Sequence, residues 1–160
     1  MKVNHELRYD AKPAAVYTML TDPSFRERVC DRSRAIDWNV DVVETSGGTQ
    51  VTVERSHAAP NLPGFARKFV GDSIRIAQVE TWSNETTATL QLTIPGKPGR
   101  LVGTSELTTD GDGTLQTISG TLKVGVPLIG GKLEELVDGF LRKALRAEQR
   151  VGADWLADAG

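Results

Sequence analysis

The chain has 160 residues, the size of one ordinary domain spanning 1–160. A chain of that length buries roughly two-thirds of its unfolded surface, so it does not require a disulfide framework or a structural metal to fold. Its formal net charge is -2, from 19 Lys and Arg against 21 Asp and Glu mixed along the sequence, which argues against a nucleic-acid partner held by a basic field.

Val3 to Asp10 alternates in polarity and predicts a first strand. The opening Met1–Glu6 lacks the long apolar run of a signal peptide, and no window approaches the roughly twenty apolar residues of a membrane span. Ala11-Lys12-Pro13 opens a helix, with Pro13 near the first turn, where its missing N–H costs little. That helix carries Val16, Met19 and Leu20 as apolar positions. Thr21-Asp22-Pro23 ends it and starts another, Asp22 serving as cap and Pro23 as first helical residue. The second helix is expected to reach about Ser33, with Arg26, Glu27, Arg28, Asp31 and Arg32 on a polar face and Phe25, Val29 and Cys30 turned inward. Cys30 is the single cysteine and cannot close an internal disulfide. It reads as a small semi-buried residue, and a reducing, cytoplasmic compartment suits it.

The period then changes to two. Ile36, Trp38, Val40 and Val42 alternate with Asp37, Asn39 and Asp41, and Val51 and Val53 follow after the turn at Ser46-Gly47-Gly48-Thr49. His57 to Val70 is the longest irregular stretch, holding Pro60, Leu62, Pro63, Phe65 and Phe69. Asp72 to Trp82, Thr86 to Ile94, Leu101 to Thr109 and Thr114 to Val126 are four further strands. Ser83-Asn84, Pro95-Gly96-Lys97-Pro98-Gly99 and Asp110-Gly111-Asp112-Gly113 separate them. Gly103 and Gly120 fall inside strands, where glycine marks a bend or a close approach.

Gly130-Gly131 ends the strand pattern. Leu133, Leu136, Val137, Phe140, Leu141, Ala144, Leu145, Val151 and Trp155 then form an apolar stripe at helical spacing. Glu134 and Glu135 stand in the first turns and Arg146 and Arg150 toward the end, the order that suits the helix dipole. Asp138 and Arg142, four apart, are expected to pair on the exposed face. Gly139 interrupts this helix at about 1 kcal/mol relative to alanine and is expected to relieve crowding or allow a bend. From about Gly131 to Leu156 the helix would be roughly 40 Å long, enough to cross a sheet. Six sequential hairpin-linked strands form an antiparallel meander, the first strand completes its edge, and the concave face is the one large apolar surface that can receive the stripe.

This α+β order resembles the START-like superfamily, also called helix-grip, SRPBCC or polyketide cyclase/dehydrase-like, with the birch pollen allergens as a plant branch. The resemblance covers nearly the whole chain. Gly125-Val126-Pro127-Leu128-Ile129-Gly130-Gly131-Lys132-Leu133-Glu134 and His5-Glu6-Leu7-Arg8-Tyr9-Asp10-Ala11 are similar to an uncharacterised bacterial branch of it. The resemblance implies a hydrophobic cavity between helix and sheet, which relatives use to carry lipids, sterols or polyketides and sometimes for catalysis.

Under that resemblance the sheet would offer the ligand Val53, Leu92 and Leu122, and the helix Leu133, Val137 and Phe140. Trp38 and Trp82, on strands, would floor the cavity or pack as plain core, each with an N–H that wants a partner when buried. The loop from His57 to Val70 is long enough for a lid. Phe65 and Phe69, four apart, would form one helical turn that either gates the mouth, with Leu62 and Phe65 on the ligand, or caps the core. Polar candidates are few. Arg55 or Arg75, if buried, would pair with a ligand carboxylate, and His57 with Asp72 or Glu80 would suit acid–base work, although no spacing enforces the meeting. His5 and His57 are the only histidines, which excludes a histidine-rich metal site. No nucleophile elbow, Cys–His signature or phosphate loop is present, and no cofactor is implied. The expected partner is therefore a small hydrophobic molecule, bound by a carrier or sensor. An enzyme of the cyclase or aromatase type and an interaction module with a filled core are the alternatives.

Overall fold

The structure, a computed structural model, describes residues 1–58 and 61–159. The elements follow in chain order as β1 (Lys2–Tyr9), α1 (Pro13–Leu20), α2 (Pro23–Arg32), β2 (Asp37–Thr45), β3 (Gly48–Ala58), α3 (Gly64–Val70), β4 (Ser73–Trp82), β5 (Thr87–Thr93), β6 (Gly99–Asp110), β7 (Gly113–Val124) and α4 (Gly130–Ala159). Pro13 and Pro23 start their helices, and the Asp22 carboxylate caps α2 by accepting from the Ser24 N–H at 2.8 Å. The seven strands form one antiparallel sheet in the order β1-β7-β6-β5-β4-β3-β2. The meander and the edge position of the first strand follow the turn signals. Among the described residues no helix is long and apolar enough to cross a membrane.

Glycine allows the sheet to curve. Gly103 on β6 pairs with Gly120 on β7, and a Cβ on Gly103 would stand 2.0 Å from the Ser119 carbonyl oxygen. No side chain fits between these backbones. The sheet wraps α4, which carries 30 residues and runs roughly 45 Å. At Gly152 the helix lies against the first strand, where an added Cβ would come within 2.6 Å of Tyr9 Cε1. Gly139 differs from expectation, because a Cβ there would meet nothing within 4 Å. Relief of crowding is therefore not its role.

Two apolar clusters result. The main one joins β1, α1, α2, the sheet and the C-terminal half of α4 through Leu7, Val16, Phe25, Val51, Trp82 and Val151. A satellite cluster joins α3 to the N-terminal half of α4 through Leu62, Ala66, Val124 and Leu133, with Phe65 and Phe69 packed against it.

Two expectations need correction. His57 does not open a loop, because β3 continues to Ala58. Of the irregular stretch, Pro60 lies outside the described residues, and α3 occupies Gly64–Val70. Asp138 is buried rather than on an exposed face: Oδ1 stands 2.8 Å from His5 Nε2, and Oδ2 accepts from Arg142 at 3.4 Å. Glu134 is buried too, accepting from the Val124 N–H at 3.1 Å and from the Met1 ammonium at 3.2 Å. These contacts hold its carboxyl below the ordinary range, the Val124 N–H first among them. Both acids tie α4 to the β1–β7 edge.

Candidate functional site

Register builds the wall of a cavity beneath α4. Val53 stands opposite Gln78, Gln78 opposite Leu92, Leu92 opposite Leu101, and Leu101 opposite Leu122. Because paired residues share a face, these five side chains form one row across the concave surface. The helix covers that row with Val137, Phe140, Leu141, Ala144, Leu145 and Glu148, spaced at three and four residues on one side. The enclosed volume is about 80 Å³. Ile74, Ile76 and Ile94 complete the apolar wall, and the exposed Arg100 also lines it.

The neighbouring row runs from Val51 through Glu80, Leu90 and Gly103 to Gly120 and Val3. It places a carboxylate in the interior. Arg26 of α2 reaches this carboxylate from the side. Its Nη2 donates to Glu80 Oε1 at 2.8 Å, its Nη1 to Glu148 Oε1 at 2.9 Å, and its Nε to the Leu20 carbonyl at 2.8 Å. Arg26 is only 5% exposed, against the expectation that it lies on a polar helix face. Glu80 also accepts from Trp82 Nε1 at 3.1 Å and from Gln78 Nε2, so both its oxygens are engaged. Glu148 is different. It lines the cavity, and its Oε1 is held by Arg26, while no hydrogen bond to its Oε2 is made by the described residues. Burial pushes the Glu148 carboxyl above the ordinary range and nearby Glu80 pushes it further, against the pull of Arg26 and Arg55.

Arg55 completes the polar end, with His57 and Tyr9 near it. Arg55, half-buried on the cavity wall, lies beside the Cys30 thiol and has no carboxylate within ion-pair distance among the described residues. Burial first, and Arg55 second, lower the imidazole of His57 on the same strand, which favours its neutral form. The Tyr9 hydroxyl is buried without a hydrogen-bond partner among the described residues. Burial and the Glu148 carboxylate push its ionisation well up, so it stays a neutral phenol. Such a site can hold a polar group at one end of an apolar space and can exchange a proton at Glu148. No group of three or more His, Cys, Asp or Glu side chains that could hold a metal occurs among the described residues.

The residues expected from sequence divide by location. Val53, Leu92, Leu122, Val137 and Phe140 line the cavity together. Leu62, Phe65, Phe69 and Leu133 meet in the satellite cluster, which shares Val137 with the main core and carries Phe140. Trp82 is enclosed behind the cavity, edge-on to Tyr17 with ring centroids 5.6 Å apart, its N–H on Glu80. Trp38, at 36% exposure, lies on the outermost strand β2. Among the polar candidates, Arg55 faces the cavity, whereas Arg75 is exposed and paired with Asp37 and Glu54. Asp72 is exposed, and Glu80 is bound to Arg26.

Sequence reasoning missed Arg26 and Glu148. Both carried a signal. Arg26 precedes Val29 by three residues and Cys30 by four, so it shares their inward face. Glu148 follows Leu145 by three and precedes Val151 by three, inside the apolar stripe.

A family described as "Protein of unknown function (DUF2505)" matches residues 4–156. The uncharacterised protein Rv0481c of Mycobacterium tuberculosis is 32% identical over 110 residues, which cover 65% of this chain and 62% of that protein. The chain therefore matches less than two-thirds of the length of this relative. Among solved structures, the di-domain aromatase/cyclase StfQ of the steffimycin biosynthetic pathway superposes with a TM-score of 0.68 at 10% identity, covering 99% of this chain and 51% of that one. A START superfamily protein of Mycobacterium smegmatis superposes with a TM-score of 0.62 at 15% identity, covering 94% and 96%. At these identities the likeness establishes the START-like helix-grip fold.

Proposed function

The chain belongs to the DUF2505 family, and on that premise we propose that it binds a small hydrophobic molecule between the curved sheet and α4, as a carrier or sensor. One observation carries this reading. The sheet row and the helix stripe, which would close on each other in a filled core, leave about 80 Å³ between them beside Arg26 and Glu148. That space also weighs against an interaction module with a packed interior.

The volume limits the ligand. Pockets for drug-sized molecules run to roughly 300–1,000 Å³, so a lipid, sterol or polyketide must widen this one. The side that can yield is α3, which packs in the satellite cluster and not in the main core. Leu62, Phe65 and Phe69 then act as a gate whose displacement frees space beside Val137 and Phe140. Native mass spectrometry of the protein as purified, followed by solvent extraction, tests the reading. A co-purifying apolar molecule, or uptake of an added one at one-to-one stoichiometry, is the expected result. A protein that stays empty in the presence of a panel of such molecules would refute it.

A second reading, an enzyme of the cyclase or aromatase type using the same cavity, is favoured by Glu148. A carboxyl raised by burial beside an arginine is suited to proton transfer. The solved likeness to StfQ supports the fold that such an enzyme needs.

A further inference from the structure

The charges at the polar end of the cavity define the head of the ligand. Arg26 and Arg55 supply two cations, and Glu80 and Glu148 supply two carboxylates. The set is balanced before any ligand arrives. Arg26 and Glu80 are used up on each other and on Glu148, Leu20, Gln78 and Trp82. Two capacities remain open to the cavity. Glu148 Oε2 can accept a hydrogen bond, and the Arg55 guanidinium, beside a thiol and without a carboxylate, can donate one.

A ligand anion would gain Arg55 and meet Glu148. A ligand cation would gain Glu148 and meet Arg55. With Glu148 ionised against Arg26, either would leave one unbalanced charge in a desolvated site, the arrangement that proteins tolerate least. A wholly apolar ligand would leave both open groups unpaired once water is expelled. A neutral head that donates and accepts satisfies both.

We infer that the ligand of this cavity is an apolar molecule with an uncharged head that donates a hydrogen bond to Glu148 and accepts one from Arg55, as a carboxamide or hydroxyl does. This rests on the hydrophobic-ligand reading above and specifies its chemistry. Four probes of one size separate the possibilities: benzamide, toluene, benzoate and benzylamine. Their dissociation constants are measured at pH 7 by amide chemical-shift titration of the full chain. Because all four carry the same ring, any cost of widening the cavity is common to them.

Benzamide is expected to bind about tenfold or more tightly than toluene, from two hydrogen bonds to charged groups, and more tightly than either ion. In Arg55→Met the advantage of benzamide over toluene shrinks to about threefold or less, while toluene binds as before and reports an intact cavity. Benzoate or benzylamine binding more tightly than benzamide overturns the inference, as does toluene binding equally well. No binding by any probe, toluene included, overturns the underlying ligand-binding reading as well.

Discussion

Replacing Arg26 by methionine tests the interior charge network. The side chain is similar in length and apolar, so packing changes little, but three donated hydrogen bonds vanish: 2.8 Å to Glu80, 2.9 Å to Glu148 and 2.8 Å to Leu20. Two carboxylates are left inside without their cation. Removing one partner of a buried ion pair destabilises by about 3–5 kcal/mol. At about 2–4 °C per kcal/mol for a chain of this size, the melting temperature should fall by roughly 6–20 °C. A triple variant, Arg26→Met with Glu80→Gln and Glu148→Leu, removes the stranded charges and leaves the Trp82 N–H an amide oxygen to bond. It should recover most of the loss, since apolar replacement of a whole buried network is often neutral or better. Urea titration of the three proteins at pH 7 measures this. The single-variant deficit should also shrink toward pH 5, because one of two adjacent carboxylates then takes a proton. A deficit below about 1 kcal/mol, or a triple variant no more stable than the single one, would refute the reasoning.

The raised Glu148 carboxyl makes stability depend on pH with a definite sign. A group whose folded value lies above its unfolded value stabilises fully below the unfolded value, near 4.5, and that contribution is lost as pH rises through the folded one. The stability of the wild type minus that of Glu148→Gln should therefore increase as pH falls from 8 to 5. His57, whose imidazole is depressed and whose contribution falls away as pH drops below about 6.5, cancels in the difference. A gap that is flat in pH would show that Glu148 is not perturbed. Gly103→Val places a Cβ against Ser119 O, where 2.0 Å is available. It should destabilise by about 3 kcal/mol or more, read from the urea midpoint, whereas an unchanged midpoint would mean the strands can part freely. Hydrogen exchange should show lower protection in residues 61–70 than in β6 and β7, and a change there on saturation with a bound hydrophobic probe. Unchanged protection in α3 would remove it as the gate.

The fold was legible because its signals are redundant. The stripe from Leu133 to Trp155 was recognisable by period alone, and each strand pair was bracketed by glycine, proline or asparagine at a turn. Gly103 and Gly120 pointed to a bend or a close approach, and the register that brings them opposite each other produces the close approach. The charged half of the site was obscured by the habit of assigning charged residues outward. Arg26 sits in a helix with four other charged side chains, and composition swamped its place on the Val29 and Cys30 face. Pairing also depends on three elements, α2, β4 and α4, which lie 54 and 122 residues apart in sequence. No local spacing encodes such a meeting. Asp138 shows the same limit. Its i, i+4 partner Arg142 was visible, but His5, 133 residues away, was not.

The position of Glu148 constrains how the cavity can open. The same helix that closes the sheet carries the carboxylate that binds Arg26, four residues before the Gly152 contact with Tyr9. Swinging the C-terminal half of α4 outward would break the Arg26 pair and expose the core around Val151. The N-terminal half is tied to the β1–β7 edge by Glu134 and Asp138. Both halves are therefore anchored, and the least costly motion is displacement of α3 from Leu133, Val137 and Phe140. The charged end can then stay rigid while the apolar end adapts. Under the proposed ligand reading, heads would be selected strictly at Glu148 and Arg55, and tails accepted more loosely past Phe65 and Phe69.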